Sequence, residues 1–309
     1  MTGKIAFCFP GQGSLESGMA REFAQTVPEA REVLELGSIA SGLDLIWLTY
    51  DASEEELVET EVQQPALVAT SLAMLAAIRK RGIHPDYVVG HSVGEFAALA
   101  AASVIRVEEA IELVRERGLA MAEAARRHPG GMAAILGLED EAVEGICRRI
   151  LNVWPANYNC PGQVVVSGEH ASIEEACAAA EAAGARRAVK LKVSGAFHSP
   201  LVARAADRLR PALDRVKFAE PAAPFMSTVT ARMESARRMG PLLLDQLTAP
   251  VRFTQAAQGL VKEGVNTFVE VGPGNVLSGL VKRIDRGVKT ISVNTPAALD
   301  RLEETLGAA

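Results

Sequence analysis

The sequence predicts an α/β protein in which a mostly parallel sheet is covered by helices and a smaller βαββαβ unit is inserted. Three observations carry that reading. The apolar runs Ile5-Ala6-Phe7-Cys8-Phe9, Tyr87-Val88-Val89 and Thr267-Phe268-Val269-Glu270-Val271 each lead into a glycine-bearing turn and then a helical stretch. Strands alternating with helices in this way build parallel sheets wrapped by helices. Between residues 131 and 193 the pattern changes to strand, helix, strand, strand, helix, strand. With 309 residues, 49% of them hydrophobic and 23% charged, the chain can bury one large core and a smaller one.

Taken in order, the strand over 5–9 runs into Pro10-Gly11-Gln12-Gly13-Ser14. A dinucleotide fingerprint would need a third glycine at position 16, where Glu16 stands, so that motif fails. The loop is either a plain strand-to-helix turn or part of a site at the carboxyl edge of the sheet. Gln64-Pro65 is expected to open a helix over 64–79, with proline in the first turn and Gly82 past the end. After Tyr87-Val88-Val89 comes Gly90-His91-Ser92-Val93-Gly94 and an alanine-rich helix. A further helix over 107–125 carries the stripe Val107, Ala110, Ile111, Val114, Met121. Arg117 falls on the edge of that stripe, placed either to snorkel to the surface or to act as a charge in a site.

The next strands are expected at 131–136, 153–158, 163–167 and 186–193, with helices at 139–150 and 171–183. Asn159-Cys160-Pro161-Gly162 is a turn signal between the middle pair. This order is that of a ferredoxin-like unit. The chain therefore divides into residues 1–127 with 196–309, and an inserted 128–195. Beyond the insert lie the loop Ser194-Gly195-Ala196-Phe197-His198-Ser199-Pro200 and a helix from about 201. Strands at 267–271 and 290–293, a helix at 276–283 and a last helix holding Leu299, Leu302 and Leu306 complete it.

A net charge of −6 speaks against a nucleic-acid partner. The four cysteines, Cys8, Cys147, Cys160 and Cys177, show no C-x-x-C spacing, so neither a metal site nor a redox pair is expected. They fit reduced thiols of a cytoplasmic protein. Met1-Thr2-Gly3-Lys4 enters a strand without a signal-peptide pattern, and the longest apolar run, 96–105, is too short for a bilayer.

Gly90-His91-Ser92-Val93-Gly94 is the chemical signal. G-x-S-x-G between a strand and a helix lifts the serine hydroxyl onto a tight turn. The amides that open the helix point N–H groups at negative charge forming beside Oγ. A serine needs a base within hydrogen-bond reach. Of five histidines, His84, His128 and His170 read as loop residues, and His91 diverges from Ser92 across the turn. His198, in a loop at a domain junction and followed by a helix, is the candidate base. No Asp or Glu stands out as a third member, which leaves both a Ser-His dyad steadied by a carbonyl and a full triad open.

With these residues stated, the chain resembles the malonyl-CoA:acyl carrier protein transacylases over nearly its whole length. The resemblance rests on Phe9-Pro10-Gly11-Gln12-Gly13-Ser14, Gln64-Pro65-Ala66-Leu67, Gly90-His91-Ser92-Val93-Gly94-Glu95 and Arg117-Gly118. It continues through Asn157-Tyr158-Asn159, Pro161-Gly162-Gln163-Val164-Val165, Phe197-His198-Ser199 and Glu270-Val271-Gly272-Pro273-Gly274. It implies an α/β-hydrolase-like large domain with the ferredoxin-like insert. It also implies that Ser92 is acylated, His198 is the base, and the Gln12 and Val93 amides hold the oxyanion. The Gln246 carbonyl would orient His198, and Arg117 would pair with the malonyl carboxylate. Phe197, Asn157, Asn159 and His91 would line the substrate pocket, with Ala196 and Phe197 of the malonyl-type variant that leaves no room for a methyl branch. The implied reaction moves a malonyl group from malonyl-CoA to the phosphopantetheine thiol of acyl carrier protein in fatty acid synthesis, without metal or cofactor. A monomer is expected. Carrier proteins are typically acidic, so a basic patch drawn from Arg186, Arg187, Lys190, Lys192, Lys282 and Arg283 is the candidate docking surface.

Rival readings are a serine thioesterase, a non-catalytic acyl-binding subunit, and a malonyl loader for a polyketide synthase or a malonate decarboxylase. A thioesterase would normally run serine, acid, histidine along the chain. A non-catalytic relative should have lost Ser92, His198 or Arg117, and all three are present.

Overall fold

Ile5-Ala6-Phe7-Cys8-Phe9 forms the centre of the larger sheet, and its alternating side chains enter two different cores. Phe7 and Phe9 pack with Leu67, Leu72 and Phe96 on one face, while Ala6 and Cys8 pack with Val89, Phe253 and Phe268 on the other. A strand buried on both faces must be apolar at every position, which is why it reads as an unbroken run. The computed structural model describes residues 3–14 and 17–307, so Met1, Thr2 and Glu16 lie outside the described residues.

The strands are β1 (Lys4–Phe9), β2 (Tyr87–Gly90), β3 (Gly131–Leu136), β4 (Val153–Cys160), β5 (Gln163–Gly168), β6 (Arg187–Lys190), β7 (Phe225–Ser227), β8 (Arg232–Glu234), β9 (Val265–Val271) and β10 (Lys289–Val293). One sheet has the order β10-β9-β1-β2-β7-β8. It is parallel apart from β8, which runs antiparallel to β7. The second sheet, β4-β5-β3-β6, is antiparallel throughout. Along β3, Ala133 and Ile135 face the helices Asp140–Arg149 and His170–Ala182, while Met132 and Ala134 turn towards the large core. That period of two follows from the pleat.

Several expectations need correction. The helix expected to open at Gln64 opens at Thr60 and runs to Lys80, which puts Pro65 inside it. Pro65 has no N–H to give Glu61, and the Glu61 carbonyl accepts from Arg115 Nη1 at 2.6 Å instead. This same helix is long and apolar enough to cross a membrane, and 78% of its apolar 18-residue window is buried inside the protein. His170 begins a helix rather than sitting in a loop. The last strand of the insert covers only Arg187–Lys190, and Pro200–Val202 is a 3₁₀ turn ahead of a helix at Ala205–Leu213. The sequence also left unread β7 and β8, of three residues each, the short helices Arg21–Thr26, Leu45–Tyr50 and Glu54–Leu57, and the longer helices Pro28–Ser41, Ala236–Asp245 and Phe253–Lys262. The short ones, of three to six residues, cannot show a period, a reason that does not extend to longer helices such as the 14-residue Pro28–Ser41.

Candidate active site

The turn between β2 and the helix Gly94–Ala101 is sharp because glycines flank it. A Cβ on Gly90 would lie 2.1 Å from the Glu95 nitrogen, and one on Gly94 would lie 2.2 Å from the Phe9 carbonyl oxygen. Ser92 between them has φ 52°, in the left-handed region that side chains seldom adopt. His198 is held the same way, with φ 58°. Its loop is shaped by Ser199, whose hydroxyl donates to the Ala196 carbonyl at 2.6 Å. A Cβ on Gly195 would stand 2.5 Å from that of Ala125, so only glycine lets this loop lie against the helix Val107–Arg127. Two strained residues from distant segments are thus brought face to face, a pattern that concentrates at functional sites.

Ser92 Oγ and His198 Nε2 are 2.8 Å apart. His198 Nδ1 faces two carbonyls, Gln246 O at 2.9 Å and Ala249 O at 3.2 Å. Carbonyls only accept, so Nδ1 carries the proton and Nε2 is the free base that accepts from the serine. Burial, and then the nearby Arg117 charge, pull the His198 pKa down to about 3. The imidazole is neutral at pH 7. The open choice between dyad and triad resolves to two carbonyls, with no carboxylate on His198 among the described residues.

Arg117 does not snorkel. It is wholly buried, with Nη1 donating to Gln64 Oε1 at 2.7 Å and Nη2 to Gln246 Oε1 at 3.0 Å and Ser92 Oγ at 3.2 Å. Its Nε has no acceptor among the described residues. Burial lowers its pKa to about 9 against the opposing pull of Glu95, so it keeps its charge at neutral pH. A desolvated guanidinium with an unfilled donor is an attractive seat for a carboxylate.

The cavity in front of Ser92 holds about 180 Å³. Gly11, Gln12, His91, Asn157, Asn159, Phe197 and His198 line it, with apolar walls from Met121, Met132, Val165, Leu191, Val193 and Val276. His91 Nε2 meets Asn159 Oδ1 at 2.8 Å, and its ring packs on Phe253 at 5.7 Å between centroids. Burial lowers its pKa, so it is a neutral wall residue turned away from the serine. The Gln12 side chain is occupied by Thr60 Oγ1 at 3.1 Å and Gln64 Nε2 at 3.3 Å. The main-chain N–H groups of Gln12 and Val93 have no acceptor among the described residues.

All ten residues singled out from the sequence converge on this region. Three contributors were missed. Gln64 ties Gln12, Arg117 and Met121 Sδ together, and Glu95 and Thr228 sit beneath the elbow. A glutamine before a proline and a glutamate opening a helix were visible, but an acid in a first helical turn is ordinary. Nothing local marks Thr228.

A serine and a neutral imidazole on one cavity, with a buried arginine hydrogen-bonded to that serine, are the parts of an enzyme that handles acyl groups, and the family model described as Acyl transferase domain matches residues 6–300. The malonyl CoA-acyl carrier protein transacylase of Bacillus subtilis is 41% identical over 308 residues, which cover 98% of this chain and 97% of that protein. A solved malonyl CoA-acyl carrier protein transacylase from Coxiella burnetii superposes with a TM-score of 0.96 at 35% identity, over 99% of this chain and 98% of that one. A malonyl-transacylase solved in complex with its type II polyketide acyl-carrier protein gives 0.94 at 38% identity, over 98% and 99% of the two chains. The chain belongs to the malonyl CoA-acyl carrier protein transacylase family.

Proposed function

We infer that this acyltransferase moves a malonyl group from malonyl-CoA to the phosphopantetheine thiol of an acyl carrier protein through a malonyl-serine. The observation that carries the choice of acyl group is Arg117, a wholly buried cation with Nη2 3.2 Å from Ser92 Oγ. Ser92 Oγ attacks the thioester carbonyl while His198 Nε2 takes its proton. The oxyanion sits against the Gln12 and Val93 amides, each worth about 3–4 kcal/mol in such roles. Collapse expels CoA thiolate, which leaves with the proton from His198. The carrier thiol then attacks the malonyl ester, His198 takes the thiol proton, and Ser92 recovers it as the ester bond breaks. Acyl exchange between oxygen and sulfur needs no redox group or metal.

The carrier protein as partner is supported by the relative solved with its own acyl-carrier protein. Phe197 on the cavity wall supports a preference for malonyl over a methyl-branched acyl group. The sheet orders support an α/β-hydrolase-like domain of 1–127 and 196–309 with a ferredoxin-like insert of 128–195. Four free cysteines suit a cytoplasmic setting.

Intact-protein mass spectrometry after incubation with malonyl-CoA tests the proposal. Wild type should gain one malonyl group and pass it to a holo-carrier protein, and Ser92→Ala should gain none. Rapid release of free malonate without carrier would favour a thioesterase, and a persisting adduct on Ser92→Ala would move the nucleophile elsewhere.

A further inference from the structure

Glu95 is 1% exposed, opens the elbow helix Gly94–Ala101, and takes no part in the chemistry above. Every partner it has is a donor. Oε1 accepts from the Thr228 amide at 2.6 Å, Thr228 Oγ1 at 2.8 Å and Ser227 Oγ at 3.4 Å. Oε2 accepts from Gln246 Nε2, which also donates to the Ser92 carbonyl at 3.0 Å. Burial raises the Glu95 pKa, while the hydrogen bonds from Thr228 and Gln246 and the nearby Arg117 charge work against that rise and favour the anion, the form that accepts from every one of these groups.

The two oxygens therefore have separate duties. Oε1 fastens the elbow helix to Thr228, at the end of β7. Oε2, together with the Ser92 carbonyl, settles which way round the Gln246 amide lies. With Nε2 committed to Glu95, Gln246 Oε1 must face the other way, and it is the acceptor for Arg117 Nη2 at 3.0 Å. Were the amide reversed, its NH₂ would confront a guanidinium that only donates. Glu95 also supplies the negative charge that Arg117 senses within the buried site.

From this geometry we propose that Glu95 is a positioning residue: through the Gln246 side chain it fixes Arg117 over Ser92 and balances its charge. Gln246 then has two roles, its carbonyl steadying His198 and its side chain relaying Glu95 to Arg117. The proposal rests on Ser92 as the acylated residue and Arg117 as the carboxylate seat.

Glu95→Gln separates the two duties. The glutamine Oε1 can keep all three contacts from Ser227 and Thr228, while its NH₂ meets the Gln246 NH₂, donor against donor. Two reactions of Ser92 are then compared, malonylation by malonyl-CoA and labelling by a neutral fluorophosphonate, which reads serine and histidine without needing Arg117. Glu95→Gln should slow malonylation by roughly a hundredfold, the scale of a misplaced positioning group, and slow fluorophosphonate labelling far less. The double variant Glu95→Gln with Gln246→Glu returns an acceptor and a negative charge to Arg117, and should regain at least about tenfold of the lost malonylation. Thermal melting checks that both variants fold. Equal loss in both reactions, or no recovery in the folded double variant, would overturn the proposal. Absence of malonylation in wild type would overturn the functional reading and this one with it. A wild-type malonyl adduct that Glu95→Gln forms at full rate would overturn this one alone.

Discussion

Replacing Arg117 by alanine removes a wholly buried guanidinium that donates to Gln64 Oε1 at 2.7 Å, Gln246 Oε1 at 3.0 Å and Ser92 Oγ at 3.2 Å. The malonyl carboxylate would otherwise meet that charge in a desolvated pocket. Truncating one partner of a buried, hydrogen-bonded charge pair costs about 2–5 kcal/mol. At about 1.4 kcal/mol per factor of ten, malonyl transfer should fall roughly thirty- to several-thousand-fold. An acetyl group brings no carboxylate, so acetyl transfer should be spared or improved. The change also removes a charge that depresses the His198 pKa, which touches both substrates alike. The readout is therefore the ratio of kcat/KM for malonyl-CoA to that for acetyl-CoA. Arg117→Lys keeps the charge but lacks the planar fork that reaches Gln64 and Gln246 together, and it should lower the ratio as well. If the ratio in both folded variants stays within a factor of about two, below half a kcal/mol, Arg117 serves the fold and the carboxylate is read elsewhere.

The acid side of the pH profile follows from His198, whose pKa lies at about 3 instead of 6.5, so acylation should hold level from pH 7 to 5. A half-maximal point near 6.5 in kcat/KM for malonyl-CoA would contradict the buried, neutral base. The sign for stability runs the same way. The folded pKa is below the unfolded one, so the unfolded chain takes up the proton first, and this contribution is lost as pH falls from 6.5 towards about 3. Urea melts across that range measure it. For carrier docking, Lys190 is engaged by Glu174 and Arg283 donates to Gln163 Oε1 at 2.7 Å, which leaves Arg186, Arg187, Lys192 and Lys282, and the two lysines are the pair to reverse first. Lys192→Glu with Lys282→Glu should raise the KM for holo-carrier protein several-fold, with a steeper effect at low salt. Ser92 acylation by malonyl-CoA should be unchanged, and equal damage to both half-reactions would argue against docking there.

Ser92 and His198 were legible in the chain because glycines mark the turns that carry them. The elbow needs Gly90 and Gly94 at fixed offsets from the serine, and the histidine loop needs Gly195 and a small residue at its turn. The Gly90 clash is with Glu95 in the same turn, so the sequence alone determines it, along with the alternating strands and helices around it, whereas Gly94 and Gly195 answer to Phe9 and Ala125, which only folding brings near. The sequence also brought out Arg117, as a charge on an apolar stripe, but could not choose between a surface arginine and a buried one. That choice belongs to tertiary structure. Arg117 meets Gln64 across 53 residues and Gln246 across 129, while Glu95 meets Thr228 across 133 and Gln246 across 151. The same holds for Pro65, whose position inside a helix is made tolerable by Arg115 from a neighbouring helix. A buried polar group is stable only when its partners are present, and those partners come from segments that only folding brings together.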